Sequence, residues 1–182
     1  MFQLEIIEKC KANNRQAQMQ LYNQYCQGMY IVARRFVKHD AEAEDIVQDA
    51  FIKAFSKLDQ YQAEVTFGAW LKRIVINTSI DMLKAQKHQL VELETVHLNV
   101  VDSGNDNWLV EDTVEVVDIK EAISSLADKY RLVLTLYLLE GYDHQEISDI
   151  LNITEVSSRT QLYRGKVQLQ ELLKQKNNGT GY

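Results

Sequence analysis

The sequence predicts an all-α protein made of two small helical domains joined by an acidic linker. Three observations carry that expectation. Proline is absent from the 182 residues, where usage of about 5% would give roughly nine. Glycine is scarce at seven residues, so the chain has few helix breakers. Apolar side chains recur at three- and four-residue spacing along most of the chain, interrupted by one long acidic stretch.

The first expected helix covers residues 2–12, with Leu4, Ile7 and Cys10 on its apolar side and Asn13-Asn14 ending it. A longer helix follows, with Leu21, Tyr22, Tyr25, Cys26, Met29, Ala33, Phe36 and Val37 on one stripe. Asp40 is placed to cap the third helix, which directs Ile46, Val47, Ala50, Phe51, Ala54, Phe55 and Leu58 inward. Its opposite face carries Glu42, Asp45 and Asp49 with Gln48 beside them. After the polar stretch DQYQAEVT, a fourth helix runs from Phe67 to about Lys87, with Phe67, Trp70, Leu71, Ile74, Ile80 and Leu83 as expected core.

Residues 89–114 have mixed periodicity and dense acidity. Some 25 residues without a clear pattern are unusual inside a compact domain, so they read as a linker between domains at 1–88 and 115–176. Val117, Ile119, Ala122, Ile123 and Leu126 begin the second domain, and Lys129 to Glu140 continue it. Gly141 suits a helix C-terminus. Asp143 and Glu146 have the spacing of a capping box. The short helix HQEISDIL ends at Asn152, and Thr154 caps a final helix ending near Lys176. The tail 177–182, NNGTGY, is expected to be disordered.

The net charge of −6 hides a pattern. Residues 67–90 hold four Lys or Arg against one Asp, and residues 156–176 hold five against one Glu. Between them, residues 91–121 hold nine acidic residues and one Lys. Two basic segments separated by an acidic one can engage two stretches of nucleic acid. Other classes find no support. No apolar run approaches the roughly 18 residues of a membrane span, and MFQLEIIEKCK lacks the form of a secretory signal. Cys10 and Cys26 have no CxxC spacing and suit reduced thiols in a cytoplasmic protein. His39, His88, His97 and His144 form no ligand set, and no GxSxG, HExxH or phosphate-binding Walker loop occurs. Neither a cofactor, a metal site nor a catalytic residue is expected.

The Asn152-Ile153-Thr154 connection gives the last two helices helix-turn-helix spacing. In that geometry the start of the second helix meets base edges in the major groove. Glu155, Ser157, Ser158, Arg159 and Gln161 are the candidate readers, with Arg164 and Lys166 as phosphate contacts. Leu162, Leu169 and Leu172 are assigned to the inner stripe.

The run LADKYRLVLTLYLLEGYDHQEISDILNITEVSSRTQLYRGKVQL resembles region four of the extracytoplasmic-function sigma factors of bacterial RNA polymerase. The shared features are Leu132 to Leu139, Glu140-Gly141-Tyr142, Glu146-Ile147-Ser148 and Arg164-Gly165-Lys166. Departures fall on the reading helix: the family often has Gly at Val156, Val at Ser158 and Arg at Gln161. The run AEDIVQDAFIKAF resembles region two of the same family. There the resemblance implies that Asp45, Gln48 and Asp49 dock on a helical coiled coil of the core polymerase clamp. TFGAWLKRIVINTSIDMLK is similar to the family's minus-ten recognition segment, matching at Phe67, Trp70, Leu71, Ile74, Asn77 and Asp81. Asn77 is then the candidate base reader, and Lys72, Arg73, Lys84 and Lys87 the candidate strand contacts. Tyr61 is a further stacking candidate, whereas Phe67 and Trp70 read better as core.

The resemblance thus implies a promoter-recognition subunit with core RNA polymerase and promoter DNA as partners and an anti-sigma factor as a possible third. The acidic linker is expected to thread basic channels of the polymerase. The alternatives are an ordinary helix-turn-helix repressor or activator, which would bind its operator without polymerase, and an enzyme.

Overall fold

The computed structural model describes residues 2–90 and 116–179. Residues 91–115 lie outside the described residues, and with them nearly all of the expected acidic linker. All described regular elements are helical and fall into two compact units, divided at Glu94–Thr95.

In the first unit, α1 (Phe2–Lys11), α2 (Arg15–Arg34), α3 (Asp40–Ser56) and α4 (Phe67–Leu90) pack around one core. Asn13 turns the chain in the left-handed region at φ 58°, and Asn14 caps α2 by accepting from the Ala17 backbone N–H at 3.0 Å. The inner stripe of α2 is buried at Leu21, Met29 and Ala33, Phe36 and Val37 are buried just beyond its end, and α3 buries Ile46, Val47, Ala50, Phe51 and Ala54. On α1 the buried residues are Ile6, Ile7 and Cys10, while Leu4 is exposed. Burial pushes the Cys10 thiol pKa above its ordinary value.

Three further expectations about this unit need correction. Asp40 does not cap α3: His39 holds the cap position without a side-chain bond. The Asp40 carboxylate instead reaches back to α2, accepting from Arg34 Nε at 2.8 Å and from the Tyr30 hydroxyl at 2.9 Å. On α4, Trp70, Ile74 and Leu83 are only half-buried, and Val75 and Ile76 fill the centre with Phe67, Leu71 and Ile80. Tyr61, expected at the surface, is packed inward.

The second unit holds α5 (Val116–Ser125), α6 (Asp128–Leu134), α7 (His144–Leu151) and α8 (Glu155–Gly179). Helix α6 does not continue regularly to Glu140. Thr135–Leu139 form a π turn, closed by the Glu140 N–H donating to the Thr135 carbonyl five residues back at 3.1 Å. The wider turn keeps Thr135 and Leu136 buried and brings Tyr137 and Leu138 to the surface. Gly141 follows at φ +77°, a conformation that disfavours any residue with a Cβ.

The capping box forms as the spacing predicts. Asp143 accepts from the Glu146 N–H at 2.8 Å, and Glu146 accepts from the Asp143 N–H at 3.1 Å. Asn152 ends α7 in the left-handed region at φ 56°, and Thr154 Oγ1 accepts from the Ser157 N–H at 3.1 Å to open α8. That helix runs on to Gly179, so residues 177–179 are helical where a disordered tail was expected. Extending a formed helix adds one hydrogen bond per residue fixed, and so tolerates weak formers.

Candidate docking face and nucleic-acid interface

Asp45, Gln48 and Asp49 project from α3 as exposed side chains. They lie three and four residues apart, so they share one helix face, and the opposite side of α3 is filled by core residues. Glu42 stands apart from them, accepting from Gln86 Nε2 of α4 at 2.9 Å. Sequence reasoning missed one neighbour. Ile52 is 67% exposed and continues the same face three residues beyond Asp49 and four beyond Gln48. Its signal was the misfit of a bulky apolar residue between the inward positions Phe51 and Ala54.

On α4, Arg73, Asn77 and Lys84 are all exposed. Spacings of four and seven residues put them on one stripe, with Asp81 also on it. Lys72 falls elsewhere: five residues from Asn77 is a rotation of roughly 140°, and the side chain is half-buried. The side chain of Lys87 lies outside the described residues. Half-buried Trp70 extends the Asn77 stripe toward the start of α4.

Tyr61 is not a surface platform. It is 9% exposed, and its hydroxyl donates to the Val65 carbonyl at 2.7 Å. Its ring lies 5.8 Å from Phe67, edge-on, and 5.3 Å from Trp70. Burial raises its pKa above the ordinary value. The aromatic cluster absorbed it because Phe67 of α4 occupies the core beneath the loop.

Helix α8 rests on the unit through Ser158, Leu162, Gly165, Leu169 and Leu173. This corrects two expectations. Leu173, not Leu172, belongs to the inner stripe. Ser158 is 0% exposed and cannot reach a base edge. It lies four residues before Leu162 and seven before Gly165, so helical phase turns it inward. Its hydroxyl bonds His144 Nδ1 of α7 at 2.8 Å. The His144 ring stacks on Tyr137 at 5.1 Å, and Lys166 Nζ lies 5.9 Å from the Tyr137 ring centre. Burial, then the Arg159 cation, hold the His144 pKa below its ordinary value. The π turn, α7 and α8 are thereby tied together.

Gly165 is the second glycine with a structural reason. A Cβ there would meet Leu134 Cδ1 at 3.0 Å and Tyr130 Cβ at 3.2 Å, so its smallness lets α8 sit close against α6. The other candidate readers stay at or near the surface. Arg159 is exposed and pairs with Glu155 at 2.9 Å. Ser157, Gln161, Arg164 and Lys166 are half-buried. Among the described residues no group of acidic, His and Cys side chains could hold a metal ion, and no helix is long and apolar enough to cross a membrane.

Family models for Sigma-70 region 2 and Sigma-70 region 4 match residues 21–89 and 117–169, the segments holding the α3–α4 faces and the helix-turn-helix. The ECF RNA polymerase sigma factor SigW of Bacillus subtilis is 30% identical over 92% of this chain and 95% of its own length. This chain belongs to the extracytoplasmic-function sigma factors. It serves promoter-specific initiation of transcription by RNA polymerase. The sigma factor is also similar to the ECF sigma-E factor of Escherichia coli, at 25% identity over 88% of each chain. Its fold matches the sigma factor RpoE of Bartonella quintana, solved with the anti-sigma factor NepR. There the TM-score is 0.56 at 22% identity, covering 86% of this chain and 96% of the other. CnrH, solved with the cytosolic domain of CnrY, gives a TM-score of 0.52 at 21% identity over 93% and 95%.

Proposed function

We propose that this sigma factor divides its work between residues 1–88 and 115–176. Asp45, Gln48 and Asp49 dock the first domain on core polymerase. Asn77 reads an unstacked base of the minus-ten element, with Arg73 and Lys84 holding the strand. Lys72 stands off that face and Lys87 was assigned from sequence alone. The second domain reads the minus-thirty-five element as duplex through Glu155, Ser157, Arg159 and Gln161, with Arg164 and Lys166 on phosphates. The linker, 89–114, threads basic channels of the polymerase. The protein works in the cytoplasm as a recognition subunit without catalysis of its own. An anti-sigma factor is a proposed partner, in keeping with the complexes in which its structural relatives were solved.

The supporting observation is the exposure of Asp45, Gln48 and Asp49 together on one face of α3. A repressor has no use for such a face beside a separate helix-turn-helix. The test is run-off transcription from a promoter library of the source genome. Core polymerase plus this chain should give defined transcripts. The free chain, carrying a net charge of −6, should bind duplex DNA weakly at physiological salt. Nanomolar, sequence-specific binding by the free chain would favour the repressor reading.

A further inference from the structure

Val156 is the second residue of α8 and is 61% exposed. A β-branched residue on a helix surface gains nothing from packing and is a weak helix former, so its place asks for another cause. At 100° per residue, Val156, Thr160, Tyr163 and Val167 fall on the side of α8 opposite Ser158, Leu162, Gly165 and Leu169. Val156, Tyr163 and Val167 are indeed exposed. The Thr160 hydroxyl donates to the Val156 carbonyl at 2.9 Å. With its hydroxyl bonded to its own helix, Thr160 presents its methyl group as its outward chemistry. The outermost surface of the reading helix is therefore apolar over its first two turns. Arg159 and Arg164 flank it, one on each side.

That combination suits one occupant. A helix-turn-helix places the start of its second helix in the major groove. Of the flanking cations, Arg159 suits a base edge and Arg164 a phosphate. The apolar feature that base pairs offer in that groove is the thymine methyl group. We propose that Val156 and Thr160 read thymine methyl groups in the upstream promoter element. The preference for A·T pairs at those positions then comes from apolar contact, beside the polar reading by Arg159. The proposal rests on the assignment of α7–α8 as the promoter-reading motif.

The experiment uses polymerase holoenzyme formed with the full chain. A duplex is first selected by the holoenzyme from a library randomised across the upstream element. Each thymine of the element is then replaced singly by deoxyuridine, which removes only the methyl group. Binding should fall about four-fold at one or two positions, the equivalent of about 0.8 kcal/mol for one methyl-sized group. Val156→Ala should abolish the thymine–uracil difference at one such position. Thr160→Ser, which keeps the hydroxyl, should abolish it at a neighbouring one. An element without thymine on either strand, or one whose binding ignores every replacement, overturns the proposal. So does a Val156→Ala loss that is equal on thymine and uracil duplexes, because the side chain would then touch something other than a methyl group, such as polymerase or an activator. Absence of any upstream footprint by the wild-type holoenzyme would instead remove the assignment of α7–α8 on which the proposal stands.

Discussion

Helices α3 and α8 each carry a face proposed to meet a partner, but they obtain it differently. On α3 the two sides are chemically distinct. Its inner stripe is apolar throughout, and its outer side is charged or polar apart from Ile52 and the small Ala41 near its start. Polarity there is a faithful guide to exposure. On α8 the inner stripe includes Ser158 and Gly165, and the outer side includes Val156, Tyr163 and Val167. Close packing on its own domain puts small and polar residues inside α8, and its proposed contact with DNA would account for the apolar ones outside. Residue type misleads where helical phase does not.

The largest expected effect tests the α3 side. Asp45→Arg with Asp49→Arg should abolish capture of core polymerase, since losing one partner of a desolvated charge pair costs about 2–5 kcal/mol or more. Both carboxylates are exposed, so the melting point and helical circular dichroism should hold, within about ±0.5 kcal/mol of stability. Glu42→Arg, which lies outside the docking trio, is the control. Normal capture by the double variant would remove α3 as the docking face.

On α8 the polar readers should separate from the phosphate contacts. Arg159→Ala should cost about 1–3 kcal/mol at one base position, whereas Lys166→Ala should weaken all sequences alike and flatten the salt dependence. Binding assays on single-base promoter variants at several salt concentrations distinguish these. An identical, sequence-independent loss from both would break the assignment of the reading face.

Gly165→Ala sets two effects against each other. Alanine gains about 1 kcal/mol of helix propensity, while overpacking against Leu134 and Tyr130 typically costs about 1–3 kcal/mol. The rigid Tyr130 Cβ at 3.2 Å decides for a net loss near 1 kcal/mol in urea unfolding. A raised melting point would show that α6 and α8 have slack.

The smallest effect concerns the His144–Ser158 tie. Ser158→Ala should cost about 0.5–1.5 kcal/mol, the net worth of one hydrogen bond. The His144 pKa is lowered by burial, then by Arg159 and more weakly by Lys166, against the opposing pull of Glu155 and Asp143. The unfolded chain therefore takes up the proton first. The His144 contribution to stability is held above its ordinary value of 6.5 and declines as pH falls through it. Denaturation curves from about pH 8 to about pH 5 should show this slope in the wild type and lose it in His144→Asn. An unchanged slope would place the titrating group elsewhere.

Much of this was legible from periodicity. The inward sets of α2 and α3, the capping box at Asp143–Glu146, the turn at Asn152 and the exposure of Asp45, Gln48 and Asp49 depend on neighbours within one or two helical turns. Local spacing fixes which residues share a face, and steric rules fix which residues tolerate a turn. The burial of Tyr61 and Ser158, the outward Val156 and Ile52, the back-reaching Asp40 and the π turn at Thr135–Leu139 depend on what packs against them. Tyr61 is covered because Phe67 and Trp70 converge on it, and Ser158 because His144 of another helix meets its hydroxyl. Sequence spacing determines the direction a side chain takes from its own helix, but only the tertiary structure decides whether another helix or open solvent lies in that direction.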